Sequence, residues 1–274
     1  MTSELHGRNS VDRLAAPYTR AVTEADPTAA NPLLTNRTGE PVKRLLAVLA
    51  HHDDVDFGSG GTIALLTAAG VEVTYCIVTD GDAGGFDPAV ARSEIPTIRR
   101  AEQRAAGEVL GVGDVRFLGY RDGELTVSHD LRRDISRVIR QVRPDRMIIQ
   151  SPDRNWNRLP ASHPDHLAAG EAAIQAVYPD ARNPFAHTSL LSDEGLEAWT
   201  VPEVWVMATA TPNHWVDITD TFDRKIEALL RHESQIPMPD GFADRIRGWG
   251  QAQAEQGGLP DGRLAESFMV VSVP

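Results

Sequence analysis

Short apolar segments alternate with amphipathic helical segments along most of this 274-residue chain. Apolar runs rich in β-branched side chains indicate buried strands, and apolar residues spaced three and four apart indicate helices. Alternating strands and helices form βαβ units, which place helices on both faces of a mostly parallel sheet. We therefore predict a three-layer α/β/α sandwich with a Rossmann-like sheet. The predicted strands are 42–50, 71–79, 115–118, 145–150 and 203–209, and the predicted helices are 61–70, 97–112, 129–142, 165–178 and 221–233.

The first 41 residues lack this alternation. They are rich in Ala, Thr, Asn and Pro and show no sustained period, which predicts an N-terminal arm over residues 1–41 without an assigned role. One domain is predicted over residues 42–274, because α/β folds of this length often form a single unit. Segment 237–258 has few apolar residues, and its sequence leaves its structure open.

Polar residues follow the first predicted strand directly. The run His51-His52-Asp53-Asp54 ends an apolar segment, and Gly58-Ser59-Gly60-Gly61 comes soon after it. Ligands of open parallel sheets bind outside the carboxyl ends of the strands, so this loop is a candidate site. An isolated run of this kind is equally well explained by an aspartate that caps the following helix.

A second polar run, Ser162-His163-Pro164-Asp165-His166, follows the strand predicted at 145–150 and directly precedes a helix. Both runs belong to the same end of the same predicted sheet, so their imidazole and carboxylate groups should converge. His51, Asp54 and His166 would make a His₂Asp metal site, since three protein ligands leave one position open for water.

The two runs resemble the signatures A-H-P-D-D and H-x-D-H of the LmbE-like family of zinc deacetylases, also called the PIG-L family. The likeness extends from Val42 to Gln235, and residues 1–41 lie outside it. The three-layer α/β/α fold that the resemblance implies agrees with the pattern of strands and helices. The other matching segments are 79–81, Arg99-x-x-Glu102, 110–112, 118–123 and 216–219, with Lys225, His232 and Gln235.

This resemblance implies a metal-dependent hydrolase that removes the N-acetyl group from an N-acetylglucosamine-type substrate by means of metal-activated water. His51, Asp54 and His166 match the family's metal ligands. Zn²⁺ is the expected metal, and Fe²⁺ and Co²⁺ suit the same ligand set. The same residues leave two alternatives open, an amidase that cleaves a larger amide conjugate of an amino sugar and a catalytically silent metal-binding or sugar-binding protein.

Five further residues match functional positions of the family. Asp53 matches the general base, and a carboxylate beside a metal site can accept a proton from water. His163 matches the residue that stabilises the oxyanion or protonates the leaving amine, and Asp165 is expected to orient and charge it. Arg99 and Asp122 match positions that contact the sugar.

Two positions depart from the family pattern. His52 stands where the family has proline, and it is either a competing ligand or, as we expect, not a ligand. Ala161 stands where some members carry a tyrosine that assists the oxyanion. Nearby, Asn155-Trp156-Asn157 could stack against a sugar or serve local packing.

Composition narrows the choice of partners. The formal net charge of −12 and the lack of a basic run argue against nucleic acid and anionic membranes as partners. The partner that the resemblance implies is a small-molecule amino-sugar substrate. A single cysteine, Cys76, excludes an internal disulfide and indicates a reducing compartment. We find no secretory signal and no membrane-spanning segment, so a cytoplasmic protein is expected. The oligomeric state is left open.

Other enzyme classes fit poorly. A dinucleotide-binding turn beginning at Gly58 and Gly60 would need glycine at position 63, where Ile63 stands. The sequence contains no G-x-S-x-G motif of a serine hydrolase. Cys76 lies inside an apolar strand, which favours a core role over a nucleophilic one.

Overall fold

The computed structural model describes residues 31–274, in which seven strands form one sheet. The strands are β1 (Arg44–Leu49), β2 (Glu72–Thr79), β3 (Asp114–Tyr120), β4 (Arg146–Gln150), β5 (Glu203–Met207), β6 (His214–Asp217) and β7 (Ala265–Ser272). Their order across the sheet is β3-β2-β1-β4-β5-β7-β6. The first five strands pair in parallel, whereas β7 is antiparallel to both β5 and β6. The predicted mostly parallel sheet is therefore confirmed.

Helices cover both faces of the sheet. They are α1 (Asp54–Ala68), α2 (Ile95–Leu110), α3 (His129–Val142), α4 (Pro164–Gln175), α5 (Ser189–Ser192), α6 (Phe222–Leu229) and α7 (Phe242–Gln256). Short helical turns occupy Leu159–Ser162, Ala176–Ala181, Thr219–Thr221 and Glu233–Gln235. Helix α7 fills part of the segment whose structure the sequence left open. Among residues 31–274, none of the helices is long and apolar enough to cross a membrane.

Two apolar cores, one on each face of the sheet, hold these layers together. Leu45, Ala47 and Leu49 of β1 belong to the core that α1, α2, α6 and α7 cover. Leu46 and Val48 point the opposite way, into the core that α3 and α4 cover. Successive side chains of a strand point to opposite faces, so an uninterrupted apolar strand implies burial on both sides. The three-layer α/β/α sandwich is confirmed.

Helix α1 begins seven residues earlier than the sequence predicts, at Asp54 instead of residue 61. The glycines that suggested a loop lie inside the helix. A Cβ atom at Gly58 would overlap the Met207 side chain, and one at Gly61 would come within 2.7 Å of Ile218. Glycine is present because the helix packs closely on its neighbours. As a result, α1 starts within the His-Asp motif.

The arm predicted over residues 1–41 is described from residue 31 onward, and its first thirty residues lie outside the described part of the chain. Residues 31–41 lie against the amino-terminal edge of the sheet. There, buried Arg146 donates hydrogen bonds to the carbonyl oxygens of Leu33 (2.7 Å) and Thr35 (2.9 Å). Val42 is already part of the core. The domain boundary between residues 41 and 42 stays a prediction.

Candidate metal centre

The three predicted metal ligands meet at the carboxyl-terminal edge of the sheet. His51 follows β1, Asp54 opens α1, and His166 lies in the first turn of α4. His51 Nδ1 lies 3.2 Å from His166 Nε2. The two oxygens of Asp54 face different histidines, with Oδ1 3.1 Å from His166 Nε2 and Oδ2 3.5 Å from His51 Nδ1. Residues from three separate elements therefore present their ligand atoms to one point.

These separations suit a four-coordinate metal. Zn²⁺ bonds of about 2.0–2.1 Å place tetrahedral ligand atoms about 3.3 Å apart. This is close to the 3.2 Å between the two histidine nitrogens and to the 3.1 Å between His166 Nε2 and Asp54 Oδ1. The ring orientations also fit, because His166 Nδ1 lies 3.3 Å from the Ala161 carbonyl oxygen. When His166 Nδ1 donates its hydrogen to that carbonyl, Nε2 is unprotonated and can bind a metal. The donor set of two imidazoles and one carboxylate thus fits a divalent cation.

Two further sets of three residues could hold a metal ion, and both include His51. Within each set, the ligand atoms all lie within 4.8 Å of one another. The two sets are His51, His163 and His166, and His51, Asp122 and Asp165. His51 uses Nδ1 toward the first set and Nε2 toward the second, so the two sets lie on opposite sides of its ring. Asp54 and His166 meet on the Nδ1 side, which is the side where the three predicted ligands converge.

Two buried carboxylates hold the other side of His51. Its Nε2 lies 3.1 Å from Asp122 Oδ1 and 3.2 Å from Asp165 Oδ2. A carboxylate on the second nitrogen of a ligand histidine fixes the ring and strengthens the ligand. Burial alone would lower the pKa of His51, but hydrogen bonds to Asp122, Asp165 and Asp54 raise it to about 12. The carboxylates around His51 thus strongly favour positive charge on or beside its ring.

Asp165 makes contacts that the sequence does not indicate. Its carboxylate accepts the backbone N–H groups of Gly123 (2.7 Å) and Leu125 (3.2 Å) and contacts His51, whereas His163 receives only the backbone N–H of Asp165, at 3.2 Å. The Asp165 carboxylate therefore contacts His51 and not the His163 ring, and its predicted role in orienting and charging His163 stays a prediction. Asp165 lies in the first turn of α4, where its buried side chain turns toward the loop after β3.

His163 caps α4 and is half-buried. Its Nδ1 accepts the Asp165 N–H, and its ring meets His51 edge to face with centroids 4.9 Å apart. Burial, together with the nearby His51, lowers the pKa of His163. The neutral ring must then carry its proton on Nε2, since Nδ1 is an acceptor. None of the described residues hydrogen-bonds to Nε2, which leaves that N–H available to a ligand.

Asp53 has an unusual backbone conformation directly before α1. Its φ of 78° is left-handed, which costs a non-glycine residue about 1–2 kcal/mol. Gln103 of α2 accepts the Asp53 N–H at 3.0 Å and stabilises this conformation. Burial raises the pKa of Asp53 to about 6, with Asp54 adding to the increase and Arg99 opposing it. Asp53 directly precedes Asp54 in the chain and is not one of the three predicted ligands.

Arg99 is 4% exposed and lies close to the predicted metal site. It donates to the carbonyl oxygens of Gly81 (3.2 Å) and His52 (3.1 Å) and comes within 3.7 Å of Asp53 and 3.9 Å of Asp122. These contacts give it a clear structural role. Sugar binding by Arg99 and Asp122 stays a prediction.

Sequence reasoning missed a buried polar group behind Asp53. Asp56 Oδ2 lies 2.8 Å from His232 Nε2 and 2.9 Å from Gln103 Nε2, and all three side chains are fully buried. The available signal was a charged residue next to Val55 on a helix that packs into the core. His52 is also fully buried and stacks on Phe117 with ring centroids 5.3 Å apart. The ring of His52 therefore lies in the core, apart from the three ligands.

Comparison with known proteins gives consistent matches. The family model described as PIG-L, GlcNAc-PI de-N-acetylase, matches residues 46–177. Diacetylchitobiose deacetylase of Thermococcus kodakarensis is 36% identical over 203 residues, covering 74% of this chain and 73% of that protein. A probable N-acetyl-alpha-D-glucosaminyl L-malate deacetylase 2 of Bacillus cereus is 34% identical over 200 residues, covering 70% of this chain and 84% of that protein.

A solved structure agrees with these matches. N,N'-diacetylchitobiose deacetylase from Pyrococcus horikoshii superposes with a TM-score of 0.77 and 32% identity, and the likeness covers 84% of each chain. The matched family segment contains both polar runs and the predicted metal ligands. From the likeness in sequence and in fold, we conclude that the chain belongs to the PIG-L, or LmbE-like, family.

Proposed function

We propose that this chain is a metal-dependent hydrolase that removes the N-acetyl group from an N-acetylglucosamine-type substrate. The convergence of His51, Asp54 and His166 ligand atoms at 3.1–3.5 Å, beside a carboxylate outside the ligand set, carries the proposal. The relatives add support, because those named above are called deacetylases of diacetylchitobiose and of an N-acetylglucosaminyl malate. A binding protein without turnover would have no need for Asp53.

A bound divalent metal would polarise the amide carbonyl and lower the pKa of the attacking water. Asp53 accepts the proton of that water as its oxygen adds to the carbonyl carbon. His163 donates its Nε2 hydrogen to the oxyanion that develops on the carbonyl. The proton then passes to the sugar nitrogen as the C–N bond breaks, which yields acetate and a free amine.

The residues around His51 keep this geometry fixed. Asp122 and Asp165 hold its Nε2, and the backbone N–H of His51 donates to Asp54 Oδ2 at 2.7 Å. Ala161 supplies no side-chain donor for the oxyanion, since its contribution is the carbonyl oxygen that orients His166. His163 is therefore the side chain that we assign to the oxyanion.

Zn²⁺ is our proposal for the metal, because the His₂Asp set suits it, and Fe²⁺ and Co²⁺ would occupy the same ligands. We also propose a cytoplasmic location, in line with the single buried thiol of Cys76. Elemental analysis of protein purified without added metal, and fractionation of cells that express the full chain, test these two points.

A substrate panel tests the reaction. The metal-loaded protein is incubated with N-acetylglucosamine, N,N'-diacetylchitobiose and N-acetylglucosaminyl conjugates of malate and inositol, while free amine and acetate are measured separately. We expect equal amounts of amine and acetate from at least one substrate, and a rate at least about 100-fold lower from the Asp53→Asn variant. Folded, metal-loaded protein that releases neither product from any of them would overturn the proposal.

A further inference from the structure

A chain of buried hydrogen bonds reaches the backbone of Asp53 from the loop after α6. His232 Nε2 lies 2.8 Å from Asp56 Oδ2, and Gln103 Nε2 donates to the same oxygen at 2.9 Å. Gln103 Oε1 accepts the Asp53 N–H at 3.0 Å. The side chains of Asp56, Gln103 and His232 are fully buried. Buried polar groups are unfavourable unless they hydrogen-bond, so each of these side chains restricts the arrangement of the next.

The Asp56 carboxylate fixes which end of the Gln103 amide faces Asp53. A carboxylate accepts hydrogen bonds and donates none, so the amide must turn its NH₂ group toward Asp56 Oδ2. The carbonyl oxygen of the same amide is then directed at the Asp53 N–H, as the contacts show. A reversed amide would place its NH₂ group against that N–H, with two donors facing each other. Asp56 thus makes Gln103 an acceptor for Asp53.

His232 in turn fixes the Asp56 oxygen that Gln103 uses. Both side chains contact Oδ2, whereas Oδ1 has no hydrogen-bond partner in the described part of the chain. The turn that carries His232 is itself held on α2. There, the Ser234 N–H and hydroxyl group both donate to the Glu102 carboxylate at 2.7 Å, directly beside Gln103 in the sequence. Loss of the His232 contact would therefore free the Asp56 carboxylate to rotate.

The backbone of Asp53 needs this support. Its φ of 78° is left-handed, a conformation that non-glycine residues rarely adopt. An aspartate directly before a helix usually caps it, yet the Asp53 side chain accepts no hydrogen bond from the first turn of α1. The conformation therefore gives α1 no side-chain cap, and the carboxylate stays available for another role.

We propose that His232 and Asp56 are positioning residues for Asp53, which act through the amide of Gln103. They hold the Asp53 backbone in the conformation from which its carboxylate accepts the proton of the attacking water. Their own contacts are with Gln103 and with each other. This inference rests on the proposed function, because it takes Asp53 as the base.

Two replacements of His232 differ in one hydrogen bond. In His232→Gln, the side-chain NH₂ group can take the place of Nε2 and donate to Asp56, whereas the shorter side chain in His232→Asn cannot reach it. We expect kcat of His232→Asn to fall roughly 2–12-fold, the effect of one hydrogen bond, with KM and metal content unchanged. His232→Gln should stay within about twofold of wild type.

His187→Asn is the matched control, because His187 forms a second buried pair with an aspartate. Its Nε2 lies 3.0 Å from Asp180 Oδ2, and the neighbouring Val177 and Ala181 belong to the core on the opposite face of the sheet from α1. This variant should lose stability and keep the wild-type kcat. An equal fall of kcat in both asparagine variants would assign the effect to general loss of stability and reject the proposal.

The path through Gln103 is tested by combining two variants. If His232 acts only through Gln103, adding His232→Asn to Gln103→Leu should lower kcat no further, since residues that act as a unit are not additive. Two losses that multiply would reject this path. Unchanged kcat in folded His232→Asn of an active enzyme would also reject the positioning role.

Hydrogen exchange separates this inference from the proposed function, because it needs no turnover. Measured by NMR on isotope-labelled protein, the Asp53 N–H should exchange roughly 2–12-fold faster in His232→Asn and at the wild-type rate in His232→Gln. Faster exchange in a protein that deacetylates no substrate would reject the proposed function and keep the conformational support of Asp53. If His232→Asn does not fold, the wild type decides: a Gln103 NH₂ group that exchanges as fast as exposed amides would overturn the proposal, and a protected one would support it.

Discussion

At the amino-terminal edge of the sheet, the Arg146 guanidinium meets the Glu203 carboxylate at 2.7 Å. Every polar group of that pair has a partner: Arg146 also holds two carbonyl oxygens, and Glu203 accepts the N–H groups of Arg37 and Trp205. One positive charge balances one negative charge. This edge is complete without any ligand.

At the carboxyl-terminal edge, three carboxylates contact His51, and Arg99 comes within 3.9 Å of one of them and within 3.7 Å of a fourth carboxylate. The carboxylates belong to Asp53, Asp54, Asp122 and Asp165. Packing buried carboxylates together is unfavourable unless a cation compensates them. The contrast between the edges shows that carboxylates outnumber arginines around His51, and a divalent metal bound there would stabilise them.

The largest expected effect is on turnover, when Asp53 at the carboxyl-terminal edge is replaced. Asp53→Asn keeps the size of the side chain but cannot accept a proton, so kcat should fall roughly 10²–10⁴-fold. Metal content and unfolding midpoint should stay near wild type, because Asp53 is not one of the three ligands. Initial rates and elemental analysis on the same sample check this. Normal turnover in the metal-loaded variant would assign the proton to another group.

The rate of the wild type should also depend on pH through Asp53. The base works only when ionised, so turnover should be present above its pKa and lost as the pH falls through it. Burial raises this pKa to about 6, and a bound divalent cation would lower it. We therefore expect the acid limb of kcat/KM at or below about pH 6. An acid limb well above pH 7 would contradict this assignment.

At the amino-terminal edge, where Arg146 balances Glu203, the expected effect is on stability alone. Glu203→Ala leaves Arg146 buried without its partner, which should lower the free energy of unfolding by about 3–5 kcal/mol. Asp114→Ala removes an exposed partner of Arg116 and should cost less than about 1 kcal/mol. Urea unfolding measures both. If folded Glu203→Ala lost metal affinity, the two edges would be coupled and the comparison would fail.

A smaller effect, on metal affinity, is expected when a carboxylate that contacts His51 is replaced. Asp165→Asn keeps one acceptor oxygen but removes the charge opposite Nε2, so metal affinity should fall about 10–100-fold. Competition with a chelator of known affinity gives the dissociation constant. Unchanged metal affinity would mean that Asp165 stabilises the loop at Gly123 and does not affect metal binding by His51.

The smallest expected effect concerns the conformation of Asp53. Gln103→Leu removes the acceptor of the Asp53 N–H and also the donor to Asp56 Oδ2. Loss of the hydrogen bond to Asp53, about 0.5–1.5 kcal/mol, corresponds to a loss of roughly 2–12-fold in kcat. KM and metal content should not change. Gln141→Leu, which removes an exposed partner of Arg116, is the control. A rise in KM with unchanged kcat would place Gln103 in substrate binding.

Much of the fold could be predicted because strands and helices differ in their apolar period. The five predicted strands and five predicted helices all correspond to observed elements. The start of α1 was misplaced, since Gly58 and Gly61 suggest a loop until Met207 and Ile218 are seen packed against them. Strands β6 and β7 were not predicted. Their pairing joins distant parts of the chain, and local pattern does not indicate it.

The metal ligands could be predicted because each lies in a short polar run at a strand or helix end. The contacts behind them could not. Asp56 comes from α1, Gln103 from α2 and His232 from the loop after α6, and only the folded chain shows that they touch. Likewise, the sequence cannot show that the Asp165 carboxylate faces His51 instead of its neighbour His163.

The central claim is that the surplus carboxylates of the carboxyl-terminal edge exist to bind one divalent metal that deacetylation requires. Titration of Zn²⁺ into metal-stripped protein, with acetate release from N,N'-diacetylchitobiose as the readout, tests it most directly. We predict no release from the stripped protein and a linear rise that reaches its plateau at one equivalent per chain. Full activity in the stripped protein, or no activity at any equivalence, would contradict the claim.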